Sequence, residues 1–186
     1  MYTNQADVEA RLGTKMTDEQ AAYFESLSLS TDAYIERVTG TKFGSTEIVD
    51  VYVDGEAGPM LIIPTMHDIT AVTRIAEDGA ETVLSVSDYR VYPMGAANTY
   101  AIRRINGEWE DGPDRYKITG VLGYKEVPAD IAMVASELAS GSIKADSNQY
   151  KSEKVGDWSV TYSDSTSVST DAMTTLNGYK RLSRSI

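Results

Sequence analysis

The chain has 186 residues, with 28 acidic side chains against 17 basic ones, a net charge of −11, one histidine and no cysteine. The lack of cysteine excludes disulfides, thiol catalysis and cysteine-ligated zinc or iron–sulfur clusters, and a single histidine excludes paired-histidine metal sites. No apolar run approaches the roughly 20 residues of a membrane helix, and the opening MYTNQADVEARLG lacks the basic-then-apolar layout of a signal peptide, so a soluble, intracellular protein of one domain, or one domain with a sizeable insertion, is expected. The charge is uneven, with 14 acidic and 5 basic residues over 1–80 against 14 and 12 over 81–186. Such a surface repels nucleic acid phosphates, or else simply keeps the protein soluble.

A short helix is predicted over residues 5–12, stopping at Gly13. Thr17 and Gln20 then have the spacing of a capping box, with Asp18 and Glu19 in the first turn, where the helix dipole favours negative charge. Phe24, Leu27, Thr31, Tyr34, Ile35 and Val38 recur at three- and four-residue intervals, the stripe of an amphipathic helix ending at Gly40. Ser28, Ser30 and Thr31 weaken its middle, where a bend is expected. From residue 45 to 127 the pattern changes. EIVDVYV, MLIIP, ITAVTRIA, TVLSV, YRVYP, TYAIRRI and RYKITGVLGY are rich in Ile, Val, Thr and Tyr, as strands prefer. Asp54-Gly55, Asp78-Gly79 and Asn106-Gly107 have the positive-φ tolerance of tight hairpin turns. Five to seven short antiparallel strands are expected.

Helix returns at Pro128, with Asp130 in the first turn and Ile131, Val134, Ala135, Leu138 and Ala139 on one face before Gly141. A single strand, GDWSVTY, follows. Residues 163–175 hold 8 Ser or Thr in 13 positions, a linker composition. The last segment, LNGYKRLSRSI, carries Leu176, Tyr179 and Leu182 on one helical face with Lys180, Arg181 and Arg184 nearby. Gly178 costs that turn about 1 kcal/mol relative to alanine, so this end is expected to be marginal until something holds it.

Chemistry-bearing patterns are few. His67 sits in TMHDIT beside Asp68 and near Thr65, at an expected loop-to-strand junction, without the spatial trio that nucleophilic catalysis needs. EWEDGPD offers Glu108, Glu110, Asp111 and Asp114, but lacks the alternating ligands and distal glutamate of a calcium loop, and reads as a solvated acidic loop. GVLGYK lacks the spacing of a phosphate-binding loop, and no Gly-x-Ser-x-Gly elbow occurs. No catalytic residue, metal site or cofactor is assigned, and no enzyme activity is expected.

Several short patterns in fixed order resemble the head-tail connector (adaptor) proteins of tailed bacteriophages. AYIERVTGTKF resembles the end of that family's helix, through Ile35, Glu36, Thr39, Gly40 and Phe43. GYKEVPADIAMVASELA resembles its Gly-Tyr element leading through Val-Pro into an apolar helix. KSEKVGDWSVTYS resembles its Gly-Asp, aromatic, Ser-Val-Thr-Tyr segment, and LNGYKRL is similar to its closing Leu-x-x-Tyr-basic-basic element, with Gly178 where proline is common. These patterns span about half the chain. The resemblance implies an α+β fold: a small helical core, made of N-terminal helices and a helix near 128–141 (residues 1–44 and 118–162), a β-rich insertion at 45–117, and an extended C-terminal linker and portal-docking tail at 163–186. It also implies a structural virion protein, assembled in the host cytoplasm and located in the neck. Twelve copies would form a ring on the portal protein, extend the DNA channel and present a platform for a downstream neck, stopper or tail-terminator protein. Genomic DNA would pass through the lumen without sequence-specific binding, and no membrane is involved. Portal contacts are then expected from Leu176, Tyr179, Lys180, Arg181, Leu182 and Arg184. Ring closure multiplies the net charge twelvefold, so it requires compensating pairs between neighbours, and salt is expected to favour it by screening. A different class of protein, a small β-rich module that binds a peptide or ligand as a monomer, accommodates the same strands.

Overall fold

The structure, a computed structural model, describes residues 1–149 and 168–180, and the chain divides into two units: residues 1–40 with 127–186, and residues 41–126. Among its described residues the first unit is helical. Helix α1 (Gln5–Leu12) starts where the Asn4 side chain accepts from the Asp7 amide and ends at Gly13, whose φ of 75° needs no Cβ relief. Helix α2 (Asp18–Thr39) opens with the expected capping box, Thr17 and Gln20 each serving the other's backbone amide. It runs unbroken through the serines to Gly40, because Ser30 and Thr31 turn their hydroxyls back onto the Leu27 carbonyl at 2.8 and 2.9 Å instead of competing for the ladder amides.

Helix α3 (Ala129–Gln149) does not stop before Gly141. Beyond the glycine, Ile143 is buried with Ala139 in a cluster that also holds Val8, Phe24 and Leu27. Burying that side chain stabilises by roughly 1.5–3 kcal/mol, more than the ~1 kcal/mol that glycine costs a helix. Helices α1 and α2 both pack on α3. The second half of the Ser/Thr-rich stretch is not linker: Ser169 caps helix α4 (Thr170–Tyr179), accepting from the Ala172 amide. The expected strand GDWSVTY lies outside the described residues.

The second unit is an antiparallel sheet of six strands: β1 (Ile48–Gly55), β2 (Met60–Ile75), β3 (Glu81–Val83), β4 (Tyr89–Tyr92), β5 (Thr99–Arg104) and β6 (Gly112–Leu122). Their order is β1-β6-β2-β5-β4, with β3 paired to the far end of β2. MLIIP and ITAVTRIA merge into the single strand β2. Irregular pairing around residues 62–66 and 67–71 lets its first half pair with β5 and its second with β6, Met66 facing Thr99 on one side and Leu122 on the other. Residues 118–122, which the family resemblance assigned to the helical core, form the second half of β6.

Of the three Gly dipeptides, one makes a hairpin. Asp78-Gly79 turns β2 into β3, with the Ala76 amide donating to the Ala80 carbonyl and Gly79 at φ 82°. Asp54-Gly55 ends a strand that pairs with β6, not with β2, and Asn106-Gly107 joins β5 to β6, which are not neighbours. Glycine is needed at 55 for another reason: a Cβ there would stand 1.7 Å from the Glu110 carbonyl oxygen. The sheet core centres on Trp109, 1% exposed among Leu61, Ile102, Tyr116 and Ile118. Its indole N–H donates to the Ile102 and Pro59 carbonyls, and its ring meets Tyr116 edge-on at 4.8 Å. The acidic segment 108–114 is therefore pinned by its one tryptophan rather than wholly solvated.

Candidate functional site

The C-terminal residues singled out in the sequence, where described, differ in burial. Ala172 and Leu176, one helical turn apart on α4, both point into the helical unit, and Leu176 is 0% exposed. Helix α4 packs on both α2 and α3, so in this conformation Leu176 is committed to the protein's own core. Tyr179, half-buried, donates its hydroxyl to the Asp130 carboxylate, with oxygens at 2.8 and 2.9 Å, in the first turn of α3. The Tyr34 hydroxyl approaches the Met173 sulfur at 3.8 Å, a second tie between α2 and α4. Lys180 follows as the exposed C-cap. Arg181, Leu182 and Arg184 lie outside the described residues. Sequence periodicity identified Leu176 as an anchor but could not say what it anchors to. Ala172 and Asp130 complete the contact; Asp130 is legible in the sequence only as a first-turn acid, and Ala172 carries no signal of its own beyond helical spacing.

Beside this contact, α1, α2 and α3 enclose a cleft of about 450 Å³, lined by Leu27, Tyr34, Leu138 and Ser140 and bounded by an Arg11–Glu137 ion pair at 2.8 Å. Within the same stretch of α2, Asp32 is buried. It accepts from the Tyr2 amide at 3.0 Å and lies 3.4 Å from the Met1 ammonium group, and burial pushes its carboxyl above the usual range despite those favourable partners.

In the sheet unit, His67 is not at a loop junction but inside β2, and buried. Both ring nitrogens are engaged, Nδ1 with Asp68 Oδ2 at 2.9 Å and Nε2 with the Ser45 carbonyl at 3.2 Å. A ring tied on both sides holds residue 45 against the sheet and has no free nitrogen to serve as a base. Its bond, together with Lys125, holds the Asp68 carboxyl below the usual range. Among the described residues no group of three or more His, Asp or Glu is arranged to hold a metal ion. Two of the sequence patterns meet at the ends of this unit: Phe43 stacks on Tyr124 at 5.2 Å, and the Tyr124 amide donates to the Lys42 carbonyl. Gly123 permits that approach, since a Cβ would stand 2.2 Å from the same carbonyl oxygen.

The fold is shared with solved chains at low identity. A chain from the neck of an empty gene transfer agent (GTA) particle computed with C6 symmetry is 18% identical, with a TM-score of 0.57 over 94% of this chain and 87% of that one. A chain from the neck of a native GTA particle computed with C12 symmetry is 18% identical, with a TM-score of 0.52 over 92% and 87%. One from the virion of a native GTA particle is 19% identical, with a TM-score of 0.56 over 94% and 87%. No curated protein matches. A family model described as "HCP: Head completion protein" matches residues 3–182, which spans both units, and the chain therefore belongs to the head completion protein family.

Proposed function

We propose that this protein is a head-tail connector of a tailed-phage-like particle, a ring of twelve copies that docks on the portal protein, lengthens the DNA channel and offers a platform to the next neck or tail protein. The match to the head completion family from residue 3 to 182 carries this reading. The fold shared with neck chains, one from a neck computed with C12 symmetry, supports it. The net charge of −11 suits a channel lining, because phosphates passing carboxylates release no counterions and gain nothing by contact.

In this reading α4 is the base of the portal-docking tail. Leu176 holds α4 to α2 and α3, a change from the direct portal contact expected of it, since a fully buried leucine has no surface to offer a partner, while half-buried Tyr179, bonded to Asp130, keeps its expected place in that contact. Lys180, Arg181, Leu182 and Arg184 then reach acidic and apolar groups of the portal.

The test is the light-scattering mass of the protein mixed with the portal protein of its source particle. The expected result is a complex with about one copy per portal subunit, lost on deleting residues 181–186, a cut that leaves α4 whole. Absence of a complex across salt and protein concentration overturns the connector reading and favours a monomeric β-rich binding module.

A further inference from the structure

Charge along the sheet unit is segregated. From Phe43 to Pro59 there are four acidic residues, Glu47, Asp50, Asp54 and Glu56, and no Lys or Arg; from Tyr89 to Gly107 there are three arginines and no acid. The fold carries these two stretches to opposite rims, because β1 and β4 are the outer strands of the order β1-β6-β2-β5-β4. On β1 the inward row is Val49, Val51 and Val53, the last two packed in the core, and the outward row is Ile48, Asp50, Tyr52 and Asp54. Ile48 and Tyr52 are 62% and 53% exposed.

At the other rim, register places Arg90 of β4 directly opposite Arg103 of β5, and Tyr92 opposite Ala101, which in turn faces Ile62. Ile62 is 59% exposed, and Tyr92 and Tyr100, in edge-to-face contact at 5.7 Å, are each 46% exposed. Two like charges facing each other across a pair of strands destabilise it. Among the described residues neither Arg90 nor Arg103 has an ion-pair partner, whereas Arg74, Arg115, Lys117 and Lys125 are each paired with an acid. An uncompensated arginine pair ringed by exposed aromatic and aliphatic side chains is the composition of an interface, not of an ordinary solvated face.

We infer that these rims are the two halves of one contact: the acidic β1 rim of one copy docks on the Arg90–Arg103 patch of the next. The chemistry each rim lacks is what the other presents. Tyrosine and isoleucine on both sides supply apolar area, and Glu47 and Asp50 supply the counter-charges for the two guanidiniums. Because the surfaces differ, the contact is head-to-tail, the kind that closes into a ring when the rotation per copy divides a full turn. This deepens the ring reading proposed above and rests on it. It also locates the compensating pairs that a ring of copies at −11 each requires.

Charge exchange tests it. Arg90→Glu with Arg103→Glu makes both rims acidic, and Glu47→Lys with Asp50→Lys puts two lysines where the two counter-charges stood, with Asp54 and Glu56 unchanged. Asp54 is left alone because it holds the Asp114 amide at 2.9 Å, whereas Asp50 accepts the Thr119 hydroxyl at 2.6 Å, a bond that Asp50→Lys gives up and Asp50→Gln can keep. Sedimentation velocity to millimolar protein, at one fixed salt concentration, is expected to show each double variant self-associating at least about tenfold more weakly than the wild type, with an equimolar mixture recovering wild-type association, since each exchanged pair then meets its opposite on the other variant. Recovery requires folded chains, so it controls for misfolding. If either double variant unfolds, Arg90→Gln/Arg103→Gln and Glu47→Gln/Asp50→Gln replace them and are each expected to weaken association. Wild-type association by the variants alone, no recovery by a mixture of normally melting variants, or a wild type that stays monomeric throughout overturns the inference. Copies that associate through these rims yet form no complex with portal would refute the portal reading and leave this contact standing. A full portal complex formed equally well by Arg90→Glu/Arg103→Glu would do the reverse.

Discussion

Replacing Leu176 by alanine asks whether α4 belongs to the folded protein or awaits a partner. With 10 residues, α4 is shorter than the ~12–15 at which an isolated helix becomes even marginal, so its order depends on what it packs against. Leu176 is 0% exposed, and truncating a fully buried leucine costs about 3 kcal/mol within a range of roughly 2–5, the lost burial plus the cavity. The remaining ties, Ala172, the Tyr34–Met173 contact and the Tyr179–Asp130 bond, are smaller, so most of this loss falls on the docking of α4. At 1.4 kcal/mol per factor of ten, amides in the second half of α4 are expected to exchange about 100-fold faster in the variant. Native-state hydrogen exchange followed by NMR reads this directly, with the exposed Asn177→Ala as the control that leaves rates unchanged apart from its own. Wild-type exchange rates in Leu176→Ala, or amides of α4 that exchange freely in both proteins, would refute the reasoning and return Leu176 to the role of a free partner anchor.

Trp109→Phe keeps most of the apolar volume but leaves the Ile102 and Pro59 carbonyls without their indole donor, and is expected to destabilise the sheet unit by about 1–3 kcal/mol in urea unfolding. A loss under ~0.5 kcal/mol would mean that water reaches the site. Thr17→Ala removes one half of the capping box on α2 and is expected to cost ~1 kcal/mol, largely restored by Thr17→Ser. Asp32 provides a pH test. Its native carboxyl is raised by burial, so the folded state holds its proton more tightly than the unfolded chain. The stability this contributes is fully present below the ordinary carboxylate range and is lost as pH rises through the native value. Urea midpoints of wild type and Asp32→Asn, compared over about pH 3–7, are expected to diverge in that sense, the variant losing less as pH rises; parallel profiles would show that Asp32 does not carry the effect. Glu9 and Asp68, whose carboxyls are lowered, act oppositely but equally in both proteins and cancel in the comparison.

Local chemistry accounts for what could be read along the chain. The capping box at Thr17, the stop at Gly40 and the alternation of strand residues depend on neighbours within four positions, and each appears in the structure as its residues demand. Order in the chain, from helices to strands and back to helix, likewise decided the α+β class. Four features depended on contacts made across the sequence. Helix α3 passes Gly141 because Ile143 finds a core partly built from α1 and α2. Gly55 and Gly107 are not hairpin turns because β6, not the next strand in sequence, takes the place beside β1. His67 is tied inside β2 by Ser45, 22 positions away, a partner that spacing along the chain does not reveal. Leu176 was legible as an apolar anchor, yet helical spacing says only that a side is apolar, not which surface covers it. That surface is supplied by α2 and α3, more than a hundred residues and a few dozen residues upstream, and only the folded chain brings them to α4. The two charged rims follow the same division. Their composition is written in residues 43–59 and 89–107, while their placement at opposite edges of one sheet is decided by strand pairing alone.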